Sequence, residues 1–136
     1  MKYIVVLDKE RAKRFECIAN WAAISVSSKP DTFPELHTIR RKGLLQLCFD
    51  DVSFPHAIPK NLKLFNVDLA QQIIDFVNLH KDNIETLLIH CEAGLSRSPA
   101  IAAAISERFG LGSADFYFEK YMPNVLVYKI LSELKK

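Results

Sequence analysis

Residues 86–99 read Thr-Leu-Leu-Ile-His-Cys-Glu-Ala-Gly-Leu-Ser-Arg-Ser-Pro, and this passage from an apolar run through a glycine-containing turn to a proline decides the fold. Thr86, Leu87, Leu88 and Ile89 form the short apolar run expected of a buried strand. Ser98 suits a helix N-cap, and Pro99 the first helical position, where a fixed φ and a missing amide hydrogen cost nothing. The helix is expected to run to about Phe109 and to stop before Gly110 and Gly112.

The same alternation extends toward the N-terminus. Residues 3–7 and 21–26 are short, partly β-branched apolar runs that read as strands, and the charged stretch 9–20 between them reads as a helix, giving a βαβ-like unit. Residues 44–49 (LLQLCF) predict a further strand that ends on Asp50 and Asp51. Residues 50–65 carry Pro55 and Pro59 and predict a long loop. Asn66 or Asp68 can cap the next helix, whose apolar stripe is Leu69, Ile73, Ile74, Phe76 and Val77. Beyond the central passage, Ser113 opens another helical stretch and Pro123 breaks it. Asn124 caps a last amphipathic helix carrying Val127, Ile130, Leu131 and Leu134.

No repeat, low-complexity tract or Gly/Ser linker divides the chain, so residues 1–136 are read as one domain. Alternating strands and helices predict an α/β fold of three layers, α/β/α, with a short, mostly parallel sheet of about four strands flanked by helices. With 49% hydrophobic residues the chain can fill one modest core. A formal charge of +2 is too balanced for non-specific nucleic-acid binding or a polybasic membrane anchor. The apolar run 3–7 is far too short for a secretion signal or a membrane span, so the expectation is a soluble, cytoplasmic protein that engages neither membrane nor nucleic acid.

Cys17, Cys48 and Cys91 are odd in number and widely spaced, with no C-x-x-C pair and no histidine at zinc-ligand distance. Reduced thiols follow, with Cys17 and Cys48 read as packing residues. A protective disulfide from either to Cys91 stays open. The basic run Arg40, Arg41 and Lys42 reads as an exposed turn, and Phe116, Tyr117, Phe118 and Tyr121 as packing.

The chemistry concentrates in residues 90–98. A loop entering a helix N-terminus aims unpaired backbone amides at one point, and the helix dipole adds positive potential there. Such a cup binds phosphate and favours the thiolate of a cysteine at its base, which makes Cys91 a candidate nucleophile. Arg97, six residues on, can bring a planar guanidinium to the same anion in a two-pronged contact that lysine cannot make. Gly94 permits the torsions of a tight anion nest, and Ala93 and Ser96 leave room for it. A bare C-x5-R arises by chance in a chain of this composition about one time in eight, whereas adding His90, Gly94 and Ser98 lowers that to on the order of one in 100,000.

H-C-x-x-G-x-x-R-S resembles the signature of the protein tyrosine phosphatase superfamily, and the short chain with this order of elements is similar to its compact dual-specificity branch. The resemblance implies hydrolysis of phosphotyrosine in a protein substrate, with phosphoserine and phosphothreonine open, through a phosphocysteine intermediate and with no metal or cofactor. Residue by residue, it implies that Cys91 attacks phosphorus. Arg97 and the amides of Glu92, Ala93, Gly94, Leu95, Ser96 and Arg97 hold the phosphoryl oxygens. Ser98 assists departure of the thiolate, and His90 supports the loop. It also implies an aspartate acid on a loop after an earlier strand, for which Asp51 is the choice, Asp50 the near alternative and Asp68 a distant one. The long loop could act as a lid.

Three other readings remain. Arsenate reductases and low-molecular-weight phosphatases also use C-x5-R, but their cysteine follows the first strand. A catalytically silent module could bind phosphorylated partners through the same loop. RNA 5′-triphosphate or phosphoinositide substrates are disfavoured by Glu92 and by the absence of lysine within the loop.

Overall fold

The computed structural model describes residues 1–54 and 61–135. Its elements are β1 (Tyr3–Leu7), α1 (Lys9–Ala12), β2 (Trp21–Ser27), β3 (Arg41–Cys48), α2 (Val67–His80), β4 (Thr86–His90), α3 (Arg97–Arg108), α4 (Asp115–Lys120) and α5 (Val125–Glu133). The four strands form one sheet in the order β1-β4-β2-β3, every neighbouring pair parallel. β4 and β2 are buried along their whole length and take the centre, as near-continuous apolar runs should. β3 alternates exposed and covered residues, which suits an edge.

Side-chain alternation divides the core between the two faces. Ala22, Ile24 and Val26 of β2 and Leu87 and Ile89 of β4 pack with α2, α3 and α5 through Ile73, Val77, Ile101, Ile105, Val127 and Leu131. Trp21, Ala23 and Leu88 point to the other face, where Ala12, Phe15 and Leu36 cover them. The result is the α/β fold of three layers, with one outer layer thin. None of the helices among the described residues is long and apolar enough to cross a membrane.

Four local expectations are corrected. β1 and β2 are not neighbours, because β4 enters between them. The helix expected over 9–20 is only the single turn Lys9–Ala12, capped by Asp8, since its apolar face is narrow and Phe15 instead turns inward to pack edge-on against Trp21 at 5.0 Å. Arg41 and Lys42 lie in β3, not in a turn. Helix α3 begins at Arg97, two residues early. Pro99 then sits at its third position, still within the first turn where its missing amide hydrogen leaves no bond unmade. The lesser helix α4 starts after Ala114, with Ser113 accepting a bond from the Asp115 amide at 3.1 Å. Of the loop expected over 50–65, residues 55–60 with both prolines lie outside the described residues.

Asn66 is the N-cap of α2, its side chain accepting from the Leu69 amide at 2.9 Å. Replacing it with alanine orphans that donor, and Asn66→Ala is expected to lower unfolding free energy by about 1 kcal/mol, read as a shifted urea midpoint at constant slope.

Candidate active site

Because all strands run parallel, their carboxyl ends share one edge, the edge at which open α/β sheets bind ligands. The loops leaving it begin at Asp8, Ser28, Phe49 and Cys91. Cys91 follows β4 directly and is almost fully buried. The chain then turns about its sulfur, which receives the Gly94 amide at 3.3 Å and lies 3.1 Å from the Ser98 hydroxyl. The turn ends at the N-terminus of α3, whose first amides have no partner within the helix and carry the positive end of its dipole.

Gly94 shows why this turn needs glycine. Its φ is +69°, and a Cβ there would stand 2.7 Å from the Asp8 amide nitrogen and 2.9 Å from the Leu7 carbonyl carbon. The turn is thus wedged against the β1–α1 junction, where the Lys9 amide also donates to the Glu92 carbonyl at 3.1 Å. Gly110 has a similar φ of +72° with nothing within 4 Å of its Cβ position. Both alanine variants meet the left-handed penalty of ~1–2 kcal/mol, and only Gly94→Ala adds a backbone clash. In urea titrations Gly94→Ala is expected to be the more destabilised of the two.

Arg97 is buried, and its Nη1 donates to the Ser28 hydroxyl and to the Phe49 carbonyl, each at 2.8 Å, with Phe49 under the guanidinium at 6.0 Å. Nη1 is therefore the anchored corner. The opposite Nε–Nη2 edge is the pair that a bidentate oxyanion contact uses.

Asp51 reaches the same turn. Its Oδ1 accepts from the Ser96 hydroxyl at 2.8 Å and from Asn124 Nδ2 at 2.7 Å. Asp50 turns elsewhere: its carboxylate accepts from the Lys63 amide at 2.7 Å and its own amide donates to the Lys63 carbonyl at 2.8 Å, so it ties the two ends of the intervening loop together. Asp68 is exposed in the first turn of α2. The Glu92, Ala93 and Leu95 side chains are exposed around the turn, and Ser96 is the N-cap of α3 without a side-chain cap bond, since its hydroxyl is engaged with Asp51. All three cysteines are free thiols, and Cys17 lies 3.8 Å from the Thr86 hydroxyl.

His90 and Ser25 are partners in the β2–β4 register, which brings His90 Nε2 to 2.5 Å from the Ser25 hydroxyl. Its Nδ1 faces the Cys91 carbonyl at 3.2 Å. A carbonyl can only accept, so Nδ1 carries the hydrogen and Ser25 donates to Nε2. Burial holds His90 below its ordinary value of 6.5, opposed by the Cys91 carbonyl bond. Below that pH the unfolded chain binds a proton that the folded chain does not, so stability is present in full above it and falls with acidification. The loss has a slope of up to ~1.4 kcal/mol per pH unit until the folded value is passed. Urea titrations between pH 7.5 and 5.5 should show this decline in the wild type and a shallower one in His90→Gln.

Ser25, Ser28 and Asn124 were not legible as site residues. Ser25 offered one signal, a polar residue inside an otherwise apolar central strand, which must find a partner there.

No family model and no characterised protein sequence matches the chain. Solved structures do. Human DUSP28 superposes with a TM-score of 0.60 at 14% identity, over 96% of this chain and 89% of that one. Tk-PTP in its active form gives 0.56 at 18%, over 99% and 94%. The chain has the tyrosine-phosphatase fold. The human tyrosine phosphatase-like serine/threonine/tyrosine-interacting protein gives 0.55 at 21%, over 84% and 75%.

Proposed function

We propose that the protein is a cysteine-dependent phosphomonoesterase acting on phosphotyrosine in proteins. The observation that carries the reading is the meeting of three groups at one strand-to-helix turn: the Cys91 sulfur, the anchored guanidinium of Arg97 and the Asp51 carboxyl. Phosphoryl transfer needs little beyond a positioned nucleophile, compensation of the oxyanion charge and a proton for the leaving oxygen.

In the first step the Cys91 thiolate bonds to phosphorus as the ester P–O bond breaks, and Asp51 gives its proton to the departing oxygen. The amides of residues 92–97 and the Nε–Nη2 edge of Arg97 hold the three remaining oxygens. In the second step water attacks phosphorus, Asp51 takes its proton, and the S–P bond breaks. The Ser98 hydroxyl then donates to the sulfur as it leaves. His90, neutral and bonded on both nitrogens, fixes the peptide that carries Cys91.

Two features favour an aryl ester. Leu95 and Met122 are both exposed, and the Met122 amide donates to the Leu95 carbonyl at 3.0 Å, so an apolar lip borders the turn. Glu92 is also exposed there, which disfavours a polyanion such as RNA 5′-triphosphate or a phosphoinositide. The likeness to a tyrosine phosphatase-like interacting protein sustains the second reading, a silent phosphoprotein-binding module.

Hydrolysis of 4-nitrophenyl phosphate in EDTA separates these. Turnover is expected in the wild type and lost in Cys91→Ser and Arg97→Ala. Asp51→Asn should fall by ~10²-fold or more and Asp50→Asn by much less. A folded wild type that retains phosphopeptides without turnover would establish the binding module instead.

A further inference from the structure

We propose that Asn124 is a positioning residue that fixes which oxygen of Asp51 carries the transferable proton, an inference that rests on Asp51 being the acid. Asn124 is fully buried at the N-cap of α5, and its own amide donates to the Ser96 carbonyl at 3.0 Å. Its side-chain Oδ1 accepts from the Val127 amide at 3.0 Å and its Nδ2 donates to Asp51 Oδ1 at 2.7 Å. The orientation of the amide is not arbitrary. Val127 N–H can only donate, so the oxygen must face the helix and the NH2 group must face the carboxyl.

Asp51 Oδ1 thereby receives two donors, Asn124 Nδ2 and the Ser96 hydroxyl, which occupy both of its lone pairs. A proton on Asp51 must then sit on Oδ2. Both donors belong to the frame of the nucleophile: Ser96 lies in the turn about Cys91, and Asn124 is tied to it by backbone. The aspartate arrives on a separate loop and docks onto donors already in place. Among good N-cap residues, asparagine alone carries the acceptor for the helix and the donor for a carboxylate on two separate atoms, Oδ1 and Nδ2. Aspartate would cap the helix and set a second carboxylate against Asp51; serine, with a single oxygen one bond nearer the backbone, would cap it without spanning to the carboxylate.

The test compares wild type, Asn124→Ser, Asn124→Asp, Asp51→Asn and the Asn124→Ser/Asp51→Asn double variant on two substrates. The 4-nitrophenolate group, the weaker base, depends less on the acid than the phenolate of phenyl phosphate does. Asn124→Ser is expected to retain the fold by circular dichroism and lose kcat by ~10-fold on phenyl phosphate, with a smaller loss on 4-nitrophenyl phosphate and none added in the Asp51→Asn background. Asn124→Asp, which keeps the cap, should show the same substrate-dependent loss. Equal losses on both substrates, or a further loss on top of Asp51→Asn, would overturn the role. A readout independent of turnover is the Asn124 side-chain amide resonance in proton–nitrogen NMR, expected to shift in Asp51→Ala; an unmoved resonance sinks the contact. A wild type without turnover overturns the phosphatase reading and the acid role with it, whereas an active wild type with uniform losses overturns only the role of Asn124.

Discussion

The turn of the chain about the Cys91 sulfur is the constraint around which the carboxyl edge of the sheet is organised. To deliver its amide to that sulfur, Gly94 must adopt a left-handed φ while lying in van der Waals contact with the backbone of residues 7 and 8. That contact removes the space for any side chain and locks β1, α1 and the turn into one unit. From the other side, the Met122 and Asn124 amides bond the Leu95 and Ser96 carbonyls, so the start of α5 rests on the same turn. The loop after β3 reaches it through Asp51. Three distant parts of the chain thus converge on residues 92–96, and the β1–α1 junction and the start of α5 supply backbone hydrogen bonds that the turn would otherwise lack.

The first turn of α3 reflects the same priority. The hydroxyl at its N-cap, Ser96, would be worth ~1 kcal/mol as a helix cap, yet it is not used that way. Ser96 donates to Asp51 and Ser98 lies against Cys91. The helix forms regardless because Ala100 to Ile105 are buried against the sheet and α5, and tertiary packing outweighs a missing cap. Local rules that fail at one place and hold elsewhere in the same chain, as at Asn66 and Asn124, mark where side chains serve the site before the helix.

The central strands, the long helix α2 and the capped helix α5 were legible because each carries a strong local pattern: continuous apolar runs, a 3.6-residue stripe, an asparagine before the first turn. The four-residue α1 was not, since residues 9–20 have acceptable helix propensity and the inward packing of Phe15 on Trp21 is a tertiary contact that sequence does not show. The Cys91–Arg97 loop was legible for a different reason. Cysteine, glycine and arginine are held by one short covalent path, so their spacing in sequence already limits their spacing in space.

The choice between Asp50 and Asp51 had no such limit, because adjacent residues of an extended segment point to opposite sides and sequence does not say which side faces the turn. Tertiary structure separates the two by bonding Asp50 to Lys63 and docking Asp51 on Ser96 and Asn124, and our proposal of Asp51 as the acid rests on that difference. The insertion of β4 between β1 and β2 was decided in the same way, and with it the meeting of Ser25 and His90 across two strands 65 residues apart. Sequence by itself determined the α/β class, the central strands and the strand-to-helix turn at Cys91, since these depend on neighbours along the chain. The partners of that turn depend on neighbours across the sheet, and no periodicity encodes them.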